Sequence, residues 1–185
     1  MGYYCRFTRD NTRDFSEINQ STKENLNLID AHYSNKSQQI YKAMYALLKS
    51  NRPKDMYSGI EAERSGTSIQ FLEEHHIFPK NSTVGKKISE DYRDHRYHEI
   101  IDNIANISLI TKLTNNKRIS NRLPSEYIVE FENDYKSKGK YAEFVEIMNS
   151  QFISEDMIQI LKEDKFEEFI ILRTKLIYDK IERLC

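Results

Sequence analysis

The stretch Glu74-His75-His76-Ile77-Phe78-Pro79-Lys80 holds the only adjacent pair among the chain's five histidines. An imidazole changes charge near neutral pH, so it can serve as a proton acceptor or as a metal ligand. The preceding Ser68-Ile69-Gln70-Phe71-Leu72 reads as a strand, and Pro79, which cannot donate to a sheet ladder, should end it. Successive side chains of a strand point to opposite faces. His75 and His76 should then look in different directions, one holding a metal while the other faces a substrate. The plain alternative is a chance pair of buried or surface histidines.

The elements that must position this pair are mostly helical. Ile40, Ala43, Met44, Leu47 and Leu48 recur at helical spacing, which predicts a helix from about Ser37 to Lys49, stopped near Asn51-Arg52-Pro53. After Lys80 a polar loop, Asn81 to Gly85, leads to Lys86-Lys87-Ile88, and residues 89–103 read as a helix with Tyr92, Tyr97, Ile100 and Ile101 as its apolar members. His95 and His98, three apart, would share a face of it. Ile107 to Thr111 reads as a second strand, and Thr111 or Thr114 can cap the helix that follows. Further helices are expected over Ser125–Lys136, Tyr141–Met148, from Ser154 onward and over Phe166–Leu184, with Gly139 as a break. The expected fold is mainly α with a small β-hairpin. Residues 1–36 form a polar segment, a linker or a helix, and residues 37–185 form the domain.

A chain of 185 residues suggests one domain and can bury roughly 70% of its unfolded surface. Lys and Arg number 28 against 29 Asp and Glu, so no overall positive charge advertises a nucleic acid, and any such contact must come from a local patch. No apolar run approaches the ~20 residues that span a bilayer, and no signal peptide is visible. Cys5 and Cys185 sit at opposite ends, which argues against a disulfide framework and for a cytoplasmic chain with free thiols. Two cysteines also exclude a four-cysteine zinc knuckle.

Three separated motifs occur in order: Glu74-His75-His76-Ile77-Phe78-Pro79-Lys80, then Asn106-Ile107-Ser108-Leu109-Ile110-Thr111, then Asn115-Asn116 followed by Ile119-Ser120-Asn121 and Pro124-Ser125-Glu126-Tyr127. Together they resemble the HNH nuclease site, also called the His-Me finger or ββα-metal motif. More narrowly, they resemble the C-terminal nuclease module of GmrSD-like modification-dependent (type IV) restriction and phage-defence enzymes. Lys54 to Gly59 and the late segment Phe166 to Arg173 also look like that module. The resemblance implies a ββα-metal core over about 67–123, surrounded by helices, with a helical C-terminal part over 125–185. It implies a divalent-metal-dependent endonuclease that hydrolyses DNA in restriction of foreign, modified or plain, DNA. The family's modules usually follow an NTPase-like domain, so an NTPase-like domain or subunit is an expected partner. No membrane is.

Phosphodiester hydrolysis needs a nucleophilic water, a cation on the phosphoryl oxygens and protonation of the leaving oxygen. A neutral imidazole suits the first task and a hard divalent cation the second. By the resemblance His76 is the base and His75 a metal ligand, while Asn106 hydrogen-bonds across the loop and orients His76. The second ligand departs from the family's spacing: Asn115 fits the distance from Asn106, Asn116 fits the distance to Ile119-Ser120, and one residue is extra. Magnesium or manganese is the expected ion, with zinc or nickel as alternatives. Lys80, Lys117, Arg118 and Arg122 are candidate phosphate contacts, with a solvated basic face as the competing account. Arg173 is read as structural or phosphate-facing. Two other readings stand beside the nuclease: a non-catalytic nucleic-acid-binding module, and a structural metal site using His75 with His95 or His98.

Overall fold

The computed structural model describes residues 39–61, 72–94 and 99–183. The polar segment 1–36, residues 68–71 of the expected first strand, and His95 with His98 lie outside the described residues. Within them the fold is mainly helical with one two-stranded antiparallel sheet. Helix α1, Gln39–Ser50, is followed by strand β1, Leu72–His76, and helix α2, Thr83–Asp91. Two 3-10 turns, Ile100–Asp102 and Ile104–Asn106, lead into strand β2, Ile107–Thr111. A short helix α3, Lys112–Thr114, continues into a π-helical turn, Asn115–Ile119. Helices α4, Pro124–Ser137, α5, Tyr141–Ser150, α6, Glu155–Lys162, and α7, Phe166–Glu182, complete the fold.

The helix expected over 89–103 lies earlier than its apolar residues suggested. Ser82 caps α2 by accepting the Gly85 amide, so the helix starts inside the stretch read as a polar loop. Tyr92, Ile100 and Ile101 are buried, but the last two sit on a 3-10 turn, not on a continuation of α2. A stripe of apolar residues reports burial, and a turn can bury residues as well as a helix can.

The larger core cluster joins Ile77 and Phe78, just past β1, to Tyr127 and Phe131 of α4, Phe144 of α5, Ile158 of α6 and Phe169 of α7. The smaller packs Met44 and Leu48 of α1 against Ile107 and Leu109 of β2 and Ile177 of α7. Helix α7 therefore serves both. Its Arg173 is fully buried and donates to the backbone carbonyls of Ala105 (2.6 Å) and Gln151 (2.8 and 3.2 Å). Burial draws its pKa down to about 9. Of the two readings of Arg173, this geometry is the structural one: it ties α7 to the turn that enters β2.

Among the described residues strand β2 pairs with β1 along one edge, and an unpaired buried edge is costly. Side chains complete the other edge. The Gln151 amide accepts from Leu109 N (3.1 Å) and donates to Leu109 O, and Asp55 Oδ2 accepts Thr111 N (2.7 Å). The two strands are thus held on the helical body rather than standing as an isolated hairpin.

Candidate active site

Both histidines come from the end of β1. In the strand register His75 lies opposite Ser108 and His76 opposite Ile107. The ladder then continues by one bond, from Ile77 N to Asn106 O at 2.7 Å. Beyond it the chain bends and is pinned by buried groups. Asn106 Oδ1 accepts Phe78 N (2.9 Å), and Asn106 Nδ2 donates to Phe78 O (3.1 Å) and to Ile101 O (2.8 Å). The Tyr127 hydroxyl donates to Ile77 O at 2.7 Å. Asn106 is fully buried, so each of these bonds replaces water that cannot reach the site. It does span the loop, as the sequence suggested, but it grips the backbone two residues past His76 and not the imidazole.

The imidazole of His76 is held by a residue that sequence reasoning missed. Asp102, on the 3-10 turn before β2, accepts from His76 Nε2 at 2.9 Å through Oδ1 and from Lys80 Nζ at 2.5 Å through Oδ2. Its side chain is only 7% exposed. Burial alone would raise the Asp102 carboxyl, but the hydrogen bonds and charges of His76 and Lys80 outweigh it and hold the group below the usual carboxylate range. The available signal was one acid inside the buried run Ile100-Ile101-Asp102-Asn103. An acid is seldom buried unless paired.

Helix α3 is positioned from the other side. Thr111 caps it by accepting Thr114 N, and Asp55 Oδ1 accepts the Thr114 hydroxyl at 2.8 Å. The same carboxylate accepts the amides of Tyr57 and Ser58, so the Lys54–Gly59 stretch is the clamp that sets the helix. Asn115–Ile119 form the π turn, in which Ser120 N bonds Asn115 O at 2.7 Å. A π turn accommodates one residue more than an α turn, and such turns cluster at functional sites.

These elements line an open, mostly polar cavity of about 290 Å³. His75, His76 and Lys80 line it from β1 and its loop, Asn115 and Asn116 from the π turn, and Ser120 and Asn121 from the turn's end. Both histidines, successive residues of one strand, line this cavity. Burial, then the neighbouring His76, lowers the His75 pKa to about 4. His75 Nε2 is buried with no hydrogen-bond partner. A buried polar atom without a partner calls for an explanation such as an ion. Among the described residues no three His, Cys, Asp or Glu side chains form a metal cluster. A cation here would rest on His75 Nε2 and the amide oxygen of Asn115 or Asn116, a neutral set that leaves most of the shell to other oxygens.

The remaining basic candidates lie apart from this cavity. Arg118 and Arg122 both pair with Glu130, at 3.3 and 2.7 Å, and Arg118 also covers the Tyr57 ring. Lys117 is exposed on the π turn.

No family model matches the chain, and no solved structure matches it. The chain is similar to the uncharacterized protein MJ0686 of Methanocaldococcus jannaschii, 34% identical over 160 residues, a match covering 78% of this chain and 25% of that relative. It thus spans about a quarter of the relative's length.

Proposed function

We propose that this chain is a divalent-metal-dependent HNH endonuclease, with a ββα-metal core formed by β1, β2 and α3 and its π turn. The observation that carries the reading is convergence. His75 and His76, Asn106 and Asn115-Asn116 come from three separate motifs, and the cavity or its immediate backbone brings them together. The unpartnered His75 Nε2, with Asn115 and Asn116 lining the same cavity, supports a weakly held cation.

His76 accepts the proton of the attacking water. Asn106 and Tyr127 fix the backbone behind it, so that the base does not have to be ordered when substrate arrives. His75 and Asn115 or Asn116 would hold the ion, magnesium or manganese by preference and zinc or nickel as alternatives, since imidazole also suits the later transition metals. Such an ion would supply positive charge to a phosphoryl group undergoing hydrolysis. Lys117, and Arg118 and Arg122 if they leave Glu130, give the backbone of DNA a shallow basic approach. The biological setting we infer is restriction of foreign, modified or plain, DNA in the cytoplasm. An NTPase-like domain or subunit would supply recognition. No helix among the described residues is long and apolar enough to cross a membrane.

Supercoiled plasmid incubated with manganese or magnesium tests the reading. Nicking is expected with the ion and none with EDTA, and EDTA should leave the circular dichroism spectrum intact, since the helices bury their own core. Calorimetric titration of manganese should give weak binding that His75→Ala weakens further. Cooperative unfolding on chelation would make the metal structural instead. Full zinc occupancy without nicking under any ion would favour the binding-module alternatives.

A further inference from the structure

We propose that Asp102 is a positioning residue that fixes the tautomer of His76, and that Lys80 acts with it by fixing the carboxylate. The consequence for rate rests on the nuclease reading, while the tautomer itself does not.

A carboxylate has acceptors only. With Asp102 Oδ1 at 2.9 Å from His76 Nε2, the neutral imidazole must carry its proton on Nε2 and its lone pair on Nδ1. The carboxylate has little freedom to do otherwise. It sits on a 3-10 turn whose neighbours Ile100 and Ile101 are 1% exposed, its backbone amide is bonded to Glu99 O at 2.8 Å, and its second oxygen is taken by the Lys80 ammonium. Lys80 is half exposed and lines the cavity, which would suit a phosphate contact. Its placed partner is the Asp102 oxygen, and its role here is to keep that carboxylate charged and in one orientation.

The arrangement makes an unusual prediction for the isosteric change Asp102→Asn. An amide offers one acceptor oxygen and one NH2 donor group. The Lys80 ammonium can only donate, so it claims the oxygen and leaves the NH2 facing His76 Nε2. That nitrogen must then accept, and the imidazole proton moves to Nδ1, the atom needed as a base. Removing Lys80 from this variant releases the amide, which can again turn its oxygen toward His76. Lys80→Met should therefore improve an Asp102→Asn protein, although it improves nothing in the wild type.

The test is nitrogen-15 NMR of the histidine-labelled 185-residue chain at alkaline pH, beside plasmid nicking with manganese. The NMR separates a protonated ring nitrogen from one bearing a lone pair. Expected are Nε2–H in the wild type and in Lys80→Met, Nδ1–H in Asp102→Asn with nicking down roughly 10² to 10⁴-fold, the usual worth of a positioned base, and a return toward Nε2–H with faster nicking in the double variant. Nδ1–H in the wild type overturns the proposal even if Asp102→Asn does not fold. Retention of Nε2–H in folded Asp102→Asn, or a double variant no better than the single, also overturns it. A wild type that shows Nε2–H but never nicks would refute the nuclease reading and leave this inference standing.

Discussion

Asn106→Asp probes the buried staple behind His76 without changing its shape. The Oδ1 contact to Phe78 N survives the change. Both Nδ2 bonds are lost, and Phe78 O and Ile101 O then face an oxygen in a site closed to water. A buried polar group left unpaired costs about 1–3 kcal/mol, so two cost about 2–6 kcal/mol at neutral pH. No cavity term is added, since the two side chains are isosteric. Burial and the two carbonyl oxygens raise the introduced carboxyl above its ordinary value of about 3.9. A raised folded-state pKa contributes stability that is fully present below the unfolded value and lost as pH rises through the folded one. In its protonated form the group regains one donor and restores one bond. The deficit relative to wild type should therefore shrink by about 1–3 kcal/mol in acid. Urea unfolding of both proteins across a pH series reads this difference directly. A deficit under about 1 kcal/mol at neutral pH, unchanged in acid, would refute the staple.

Gly85 packs against the loop that carries Lys80, and a Cβ there would sit 2.3 Å from Pro79 O and 2.8 Å from Lys80 O. Gly85→Ala should cost about 1–3 kcal/mol by overpacking and displace Lys80, seen as a lower urea midpoint and slower nicking; an unchanged midpoint would contradict the packing. His75 has a folded-state pKa of about 4 against 6.5 unfolded. In metal-free protein, stability should be full above the unfolded value and fall by about 3 kcal/mol as pH drops from about 6.5 to about 4, because the unfolded chain takes the proton first. His75→Gln should lack that component of the acid sensitivity. With 28 basic against 29 acidic residues, and with Arg118 and Arg122 held by Glu130, the chain alone should bind duplex DNA weakly and without sequence preference, with a shallow salt slope. Tight sequence-specific binding at physiological salt, measured by fluorescence anisotropy, would contradict this.

Local sequence signals carried much of the framework. The second strand was legible to the residue, Ile107–Thr111, because the apolar run Ile107-Ser108-Leu109-Ile110-Thr111 ends at a helix-capping threonine. Helices α4 to α7 follow from clear stripes and from the break at Gly139, which has a φ of 68°. What failed was long-range. Asp102 is 26 residues from His76, and only the fold brings their side chains to 2.9 Å. Its neighbours Ile100 and Ile101 looked like the face of a helix, which hid the turn that presents the acid. The misfit in spacing around Asn115 and Asn116 was visible as an extra residue, but a π turn has no sequence signature, so the way both asparagines reach the cavity was not. Asp55 and Tyr127 likewise act across 59 and 50 residues of chain.

In the proposed reaction His76 is the general base for phosphodiester cleavage at this cavity. The most direct measurement compares initial rates of plasmid nicking by wild type and His76→Ala at matched manganese, with circular dichroism confirming that both are folded. A fall of roughly 10² to 10⁴-fold is expected, the usual contribution of general base catalysis, with manganese affinity little changed. Equal rates in the two proteins would contradict it and remove the nuclease reading of this site.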